Sequence, residues 1–119
     1  MCAENGNGSR DRQRAAYDAG AEMARRKIER DAPLDAEALK RVNASDIVVV
    51  QGSYDHVELV LEALELPFTT VDPSQVEHLR LRPDQLLVVN CPGNVSSGAV
   101  PVIRRFVEAG GTLFTTDWA

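Results

Sequence analysis

Three side chains in this sequence have the chemistry of a nucleophilic site: the thiol of Cys91, the imidazole of His56 and the carboxylate of Asp117. A thiol attacks as its thiolate, so it needs an adjacent base, and the base needs a third group to orient it. The three lie far apart along the chain, and only a fold that gathers the ends of separate strands can bring them together. Each also has a plainer role. A free cysteine after an apolar run usually packs as a small hydrophobe, and an Asp or His beside a strand end serves as well in a turn.

The elements that would position them alternate. Ile47-Val48-Val49-Val50 is β-branched without polar alternation, the pattern of a strand buried on both faces. A helix over 53–66 follows, with Val57, Val60, Leu61 and Leu64 on one stripe and Pro67 as its stop. Phe68-Thr69-Thr70-Val71 reads as a second strand. Asp72-Pro73-Ser74-Gln75 then combines an N-cap Asp, Pro at the first helical position and Gln three residues after the cap, starting a short helix to about residue 79. Leu86-Leu87-Val88-Val89 is the third strand. A helix over 99–109 places Val100, Ile103, Phe106 and Val107 inward and ends at Gly110, before the fourth strand, Leu113-Phe114-Thr115-Thr116.

Strands alternating with helices make a parallel sheet with helices on both faces. The expected fold is α/β, a flavodoxin-like, Rossmann-like three-layer sandwich of four parallel strands in the order 2-1-3-4, carrying an N-terminal helical arm. In that order the fourth strand is an edge. Its Leu and Phe then need cover from the arm, a second copy, another protein chain or downstream sequence.

Upstream of the sheet, residues 1–8 are polar and rich in Gly and Asn, and are expected to be a disordered tail. Residues 9–44 form the arm: a long helix over 11–30 capped by Ser9, then a shorter one over 34–42 after the break at Asp31-Ala32-Pro33, with Leu34, Ala38, Leu39 and Val42 on one side. The apolar stripe of the long helix, Tyr17, Ala21, Ala24 and Ile28, is thin. It suits either a surface helix leaning on the domain or an arm docking on a partner. Residues 45–119 are the α/β domain.

In such a sheet the ligand-facing rim lies beyond the carboxyl ends of the strands. That rim collects Gly52, Ser53, Asp55 and His56 after the first strand, Asp72 after the second, Asn90, Cys91, Gly93 and Asn94 after the third, and Asp117 with Trp118 after the fourth. Gly52, Ser53, Asp55, Asn90, Gly93, Asn94, Asp117 and Trp118 are the candidate ligand-binding residues, and Cys91, His56 and Asp117 the candidate catalytic ones. Ser53, Asp72 and Ser96 or Ser97 also fit simple helix caps. Gly52-Ser53 lacks both the dinucleotide glycine pattern and the phosphate-loop lysine, and Asp55 would repel a phosphate. Trp118 reads as core cover or as the aromatic wall of a pocket, and His78 as solvent-exposed.

Composition narrows the function. The 119 residues suffice for one domain and carry a formal charge of −5, which disfavours nucleic acid. Arg10, Arg12, Arg14, Arg25, Arg26, Lys27 and Arg30 are interleaved with Asp11, Asp18, Glu22 and Glu29, the pattern of a solvated helix face. Two cysteines, Cys2 and Cys91, make neither a disulfide framework nor a metal motif. No metal or cofactor is expected. With no secretory leader pattern and no apolar run long enough for a bilayer, the expectation is a cytoplasmic protein without membrane contact.

The stretch Val107-Glu108-Ala109-Gly110-Gly111-Thr112-Leu113, preceded by a strand and the turn Asn90-Cys91-Pro92-Gly93, resembles the N-terminal half of class I glutamine amidotransferase-like domains over about residues 46–119. The resemblance implies a flavodoxin-like fold, an oxyanion loop at Cys91-Pro92-Gly93-Asn94 and a nucleophile elbow after the fourth strand. Thr116-Asp117-Trp118-Ala119 holds neither the elbow's cysteine nor its glycines. The expectation is therefore a non-catalytic binding or assembly module, a homo-oligomer or one docked to another chain. The alternative is a thiol or amide hydrolase completed by a partner or by downstream sequence.

Overall fold

The apolar runs become strands and the alanine-rich and amphipathic stretches become helices. The computed structural model describes residues 5–119, with side chains from Gly8 onward. In chain order it contains α1 (Asn5–Asp31), α2 (Pro33–Leu39), β1 (Ile47–Val50), α3 (Val57–Ala63), β2 (Thr69–Val71), a 3-10 helix (Pro73–His78), β3 (Leu86–Val89), α4 (Ala99–Glu108) and β4 (Thr112–Thr115). The four strands form an all-parallel sheet in the order β2-β1-β3-β4, as the sequence implied. Of the tail expected at residues 1–8, the first four lie outside the described residues, and α1 starts at Asn5, ahead of the expected Ser9 cap.

The chain divides into two units. One takes the residues up to Val42 together with Leu59–Leu66; the other takes Asn43–Glu58 and Pro67–Ala119. The arm of the first unit thus includes the second half of α3, a segment that the sequence reading assigned to the α/β domain.

In the first unit, the thin stripe of α1 behaves as its spacing implied: Ala21 is buried, and Tyr17, Ala24 and Ile28 are half-buried. Arg25 donates to the Ala63 carbonyl at 2.7 Å and faces Glu65 at 3.8 Å, tying α1 to the end of α3. Elsewhere the charges pair along the helix, Arg26 with Glu22 and Lys27 with Asp31, both at 3.0 Å. Arg30, and after it Lys27, holds the exposed Asp31 carboxyl below its ordinary range. Pro33 opens α2, since a helix loses nothing by a missing N–H at its first position. The second helix ends at Leu39 rather than residue 42, and Leu34 is exposed instead of lying on an inner stripe.

In the second unit, Val48 of β1 pairs in register with Thr69 and Leu87, and Leu87 with Leu113. Side chains alternate across the sheet. Val48, Val50, Leu87 and Val89 therefore share one face, where they pack with Val76 of the 3-10 helix and Ala99 and Phe106 of α4. Ile47, Val49 and Val88 point to the other face and are buried too. The non-alternating sequence of β1 thus translates into a strand buried on both sides.

The capping box at Asp72 forms as its spacing implied: Asp72 accepts from the Ser74 amide at 2.9 Å while Gln75 reaches back to the Asp72 amide at 2.8 Å. The Ser74 amide, and next its hydroxyl, hold the Asp72 carboxyl below its usual range. At the end of α4, Gly110 takes φ +106°, the Gly111 amide returns to the Phe106 carbonyl, and the Phe106 ring occupies the space a Gly111 side chain would need.

Candidate functional site

The loops that follow the strands meet at the carboxyl edge of the sheet, and backbone hydrogen bonds stitch the central two together. The Cys91 carbonyl accepts from the amides of Ser53 and Tyr54 at 3.0 and 3.2 Å. Gly52 makes this approach possible, because a Cβ there would overlap the Cys91 carbonyl oxygen and come within 2.6 Å of Asn90 Cβ. The loops after β1 and β3 flank the point where the strand order reverses, the place at which open α/β sheets ordinarily hold ligands. Here main-chain hydrogen bonds link those two loops.

Beneath this stitch lies the most fully buried polar side chain of the rim. Asn90 is wholly inaccessible and uses both ends of its amide: Oδ1 accepts from the Val57 amide at 3.1 Å, and Nδ2 donates to Glu58 Oε2 at 2.8 Å. The other Glu58 oxygen faces His56 Nδ1 at 3.5 Å. Asn90 thus caps the start of α3 from a different strand, which explains why that helix begins at Val57. Residues 53–56, read from the sequence as its first turn, form the connecting loop. Among the described residues, the Ser53 side chain therefore caps no helix. The Ser96 hydroxyl likewise goes to Glu77 at 3.2 Å, and Gly98 occupies the cap position of α4.

Cys91 is 2 % exposed. Its amide donates to the Thr116 hydroxyl at 2.9 Å, and its thiol faces Asp117 Oδ2 at 3.9 Å. The fold thus gathers Cys91 and Asp117, while His56 is engaged by Glu58. Asp117 adopts φ +44°, a left-handed conformation that Asp tolerates better than most residues. The Cys91–Pro92 peptide is cis, and Gly93 follows at φ +72°. A Cβ on Gly93 would sit 2.7 Å from the Cα of Ala119, so the turn after β3 and the segment after β4 pack directly together.

Among the remaining candidates, Asp55 is half-buried and Asn94 exposed, and Trp118 is 84 % exposed. The core-cover role read for Trp118 is not filled, because the chain turns at Asp117 and leaves the indole exposed. His78 is exposed, as expected. Among the described residues no buried side-chain polar atom lacks a partner, and no three His, Cys, Asp or Glu side chains are grouped as a metal site would require.

Sequence reasoning missed Glu58 and Thr116. Glu58 sits two residues after His56 at a helix start, where carboxylates are favoured, and that spacing was its only signal. It also missed a cavity of about 340 Å³ in the first unit, lined by Arg10, Arg14, Tyr17 and Glu62 among others.

No family model matches the chain. Nor does any curated protein or solved structure show significant similarity to it.

Proposed function

We propose that this chain is a non-catalytic binding or assembly module of amidotransferase-like fold, acting in the cytoplasm. The observation that carries the reading is the state of β4. All four of its residues are exposed, Leu113 at 38 % and Phe114 at 51 %, and Trp118 follows at 84 %. An open edge strand with bare apolar side chains is a template for another chain. The amidotransferase-like assignment is supported by the strand order, the Asn90–Gly93 turn beyond β3 and the Gly-Gly ending of α4. At the rim, Gly52, Ser53, Asp55, Gly93, Asn94, Asp117 and Trp118 form the surface offered to a ligand, and the buried Asn90 supports it from beneath.

The hydrolase alternative has one observation in its favour, the 3.9 Å approach of Cys91 to Asp117. Against it stand the burial of the thiol and the engagement of His56 by Glu58. Light scattering with thermal unfolding tests self-assembly: a discrete oligomer with one cooperative transition supports it, and a monomer at all concentrations overturns it in favour of docking to a different chain. Thiol labelling tests the alternative. Rapid, pH-dependent modification of Cys91 in the folded protein would favour a nucleophile, and protection until unfolding would eliminate one.

A further inference from the structure

We propose that the partner on the β4 edge is a second copy of this chain, joined antiparallel about a two-fold axis through Phe114, so that two four-stranded sheets become one of eight strands. The inference rests on the assembly reading above and specifies its geometry.

The hydrogen-bonding pattern selects the register. The amides of Thr112 and Thr116 donate to carbonyls on the β3 side, from Gln85 and Val89. In a parallel ladder, alternate residues turn both of their backbone groups to the same neighbour. Thr112, Phe114 and Thr116 are therefore committed to β3, and Leu113 and Thr115 present their N–H and C=O to the open side. In an antiparallel pair, outward-facing residues must exchange their bonds with one another, and opposed side chains must lie on the same face. Pairing Leu113 of one copy with Thr115 of the other meets both conditions twice over. It sets Phe114 directly across from its own symmetry mate, in the closely spaced position where an aromatic pair stabilises a sheet. A shift by one residue would oppose side chains on different faces. Centring on Leu113 instead would leave Thr115 opposite Gly111, outside the strand.

The helix beside the strand fits the same axis. Val102 and Arg105 of α4 line the cavity shared with His78 and Leu81, so they mark the flank turned toward the 3-10 helix. At 100° per residue, Val100, Arg104 and Val107 lie on the opposite flank, toward the β4 edge. Val100 is 50 % exposed and Val107 is 44 % exposed. A two-fold axis perpendicular to the sheet keeps both α4 helices on one face. With strands about 4.8 Å apart and α4 seated over β3 and β4, the two helix axes fall about 10 Å apart, a packing distance. The flanking valines then close against the other helix. Arg104 and Glu108, neither of them in an ion pair among the described residues, come within about a helical turn of their opposite numbers across the axis, which lets the charges complement. The strand itself carries no charge to oppose such pairing.

The test uses the full chain with Cys2→Ser, so that an introduced thiol is the accessible one. Phe114→Cys, on mild oxidation or with a short bis-maleimide, should convert most of the protein to a covalent dimer. Thr70→Cys, on the opposite edge of the sheet, should remain monomeric under denaturing, non-reducing conditions. Phe114→Lys and, independently, Thr115→Pro should halve the mass seen by light scattering. The proline removes an outward N–H that the bond to β3 does not use, so it serves if the lysine variant fails to fold. A stable dimer in which Phe114→Cys does not cross-link, or in which Thr70→Cys does, overturns this pairing and leaves the assembly reading standing. A wild-type monomer at every concentration overturns this pairing and self-assembly with it.

Discussion

The two edges of the sheet are built differently. β2 is three residues long, its first two residues are threonines, and the Thr69 hydroxyl donates to the Ala44 carbonyl at 2.7 Å, so a neighbouring loop occupies that end. β4 is longer, carries Leu113 and Phe114 in the open, and lies beside a helix whose flank is also apolar. Short, polar and partly covered edges resist pairing with other chains, and long apolar ones invite it. The β2 edge thus meets water with polar side chains, and the β4 edge meets it with apolar ones.

Substitutions can break or sharpen that contrast. The largest effect is expected from Phe106→Ala. It removes a 4 % exposed ring from the seam joining α4 to the sheet and should cost about 3–5 kcal/mol in a denaturant melt. Hydrogen exchange should then show protection falling further at Phe114, whose amide is turned to β3, than at Val71; equal loss at both edges would mean that α4 supports the whole sheet rather than its β4 side. Gly111→Ala attacks the same contact from the backbone, by placing a methyl group inside the Phe106 ring, and about 1–3 kcal/mol of destabilisation should follow.

Phe114→Lys and Thr70→Lys form a matched pair, one on each edge strand. Each should change the intrinsic stability of the folded chain by no more than about 0.5 kcal/mol. Only the first should change its mass in light scattering, and identical behaviour of the two would erase the distinction between the edges.

The smallest effect concerns the cap that follows β2. Hydrogen bonds from Ser74 lower the Asp72 pKa in the folded state, so this contribution is fully present above the unfolded-state value and is lost as pH falls through the lowered folded-state value. Asp72→Asn should remove that acid-range dependence. Urea melts taken from neutral to acid pH should therefore converge for wild type and variant as the pH falls.

Much of this was legible in the chain itself. The strand order, the capping box at Asp72, the glycine ending of α4 and the burial of Cys91 follow from local patterns, because propensity, turn chemistry and crossover handedness act over short stretches. The candidate site was legible as a set of strand ends but not as a network. His56 turns to Glu58, Asn90 caps a helix more than thirty residues upstream, and Thr116 holds the Cys91 amide. Each of these partners is chosen by which loops the sheet brings side by side. The assignment of Leu59–Leu66 to the arm was illegible for the same reason, since an amphipathic stripe states that it must pack and not against what.

β1 and β4 mark the boundary between the two kinds of knowledge. Both announce themselves as strands through β-branched and aromatic residues, and that much the amino-acid sequence determined alone, because backbone and side-chain preferences are local. Ile-Val-Val-Val is buried along its whole length, whereas Thr-Leu-Phe-Thr is exposed along all of its own. Position in the sheet decided this: a central strand has a neighbour on each side and cover on both faces, and an edge strand has only the neighbours that the rest of the fold, or another molecule, provides.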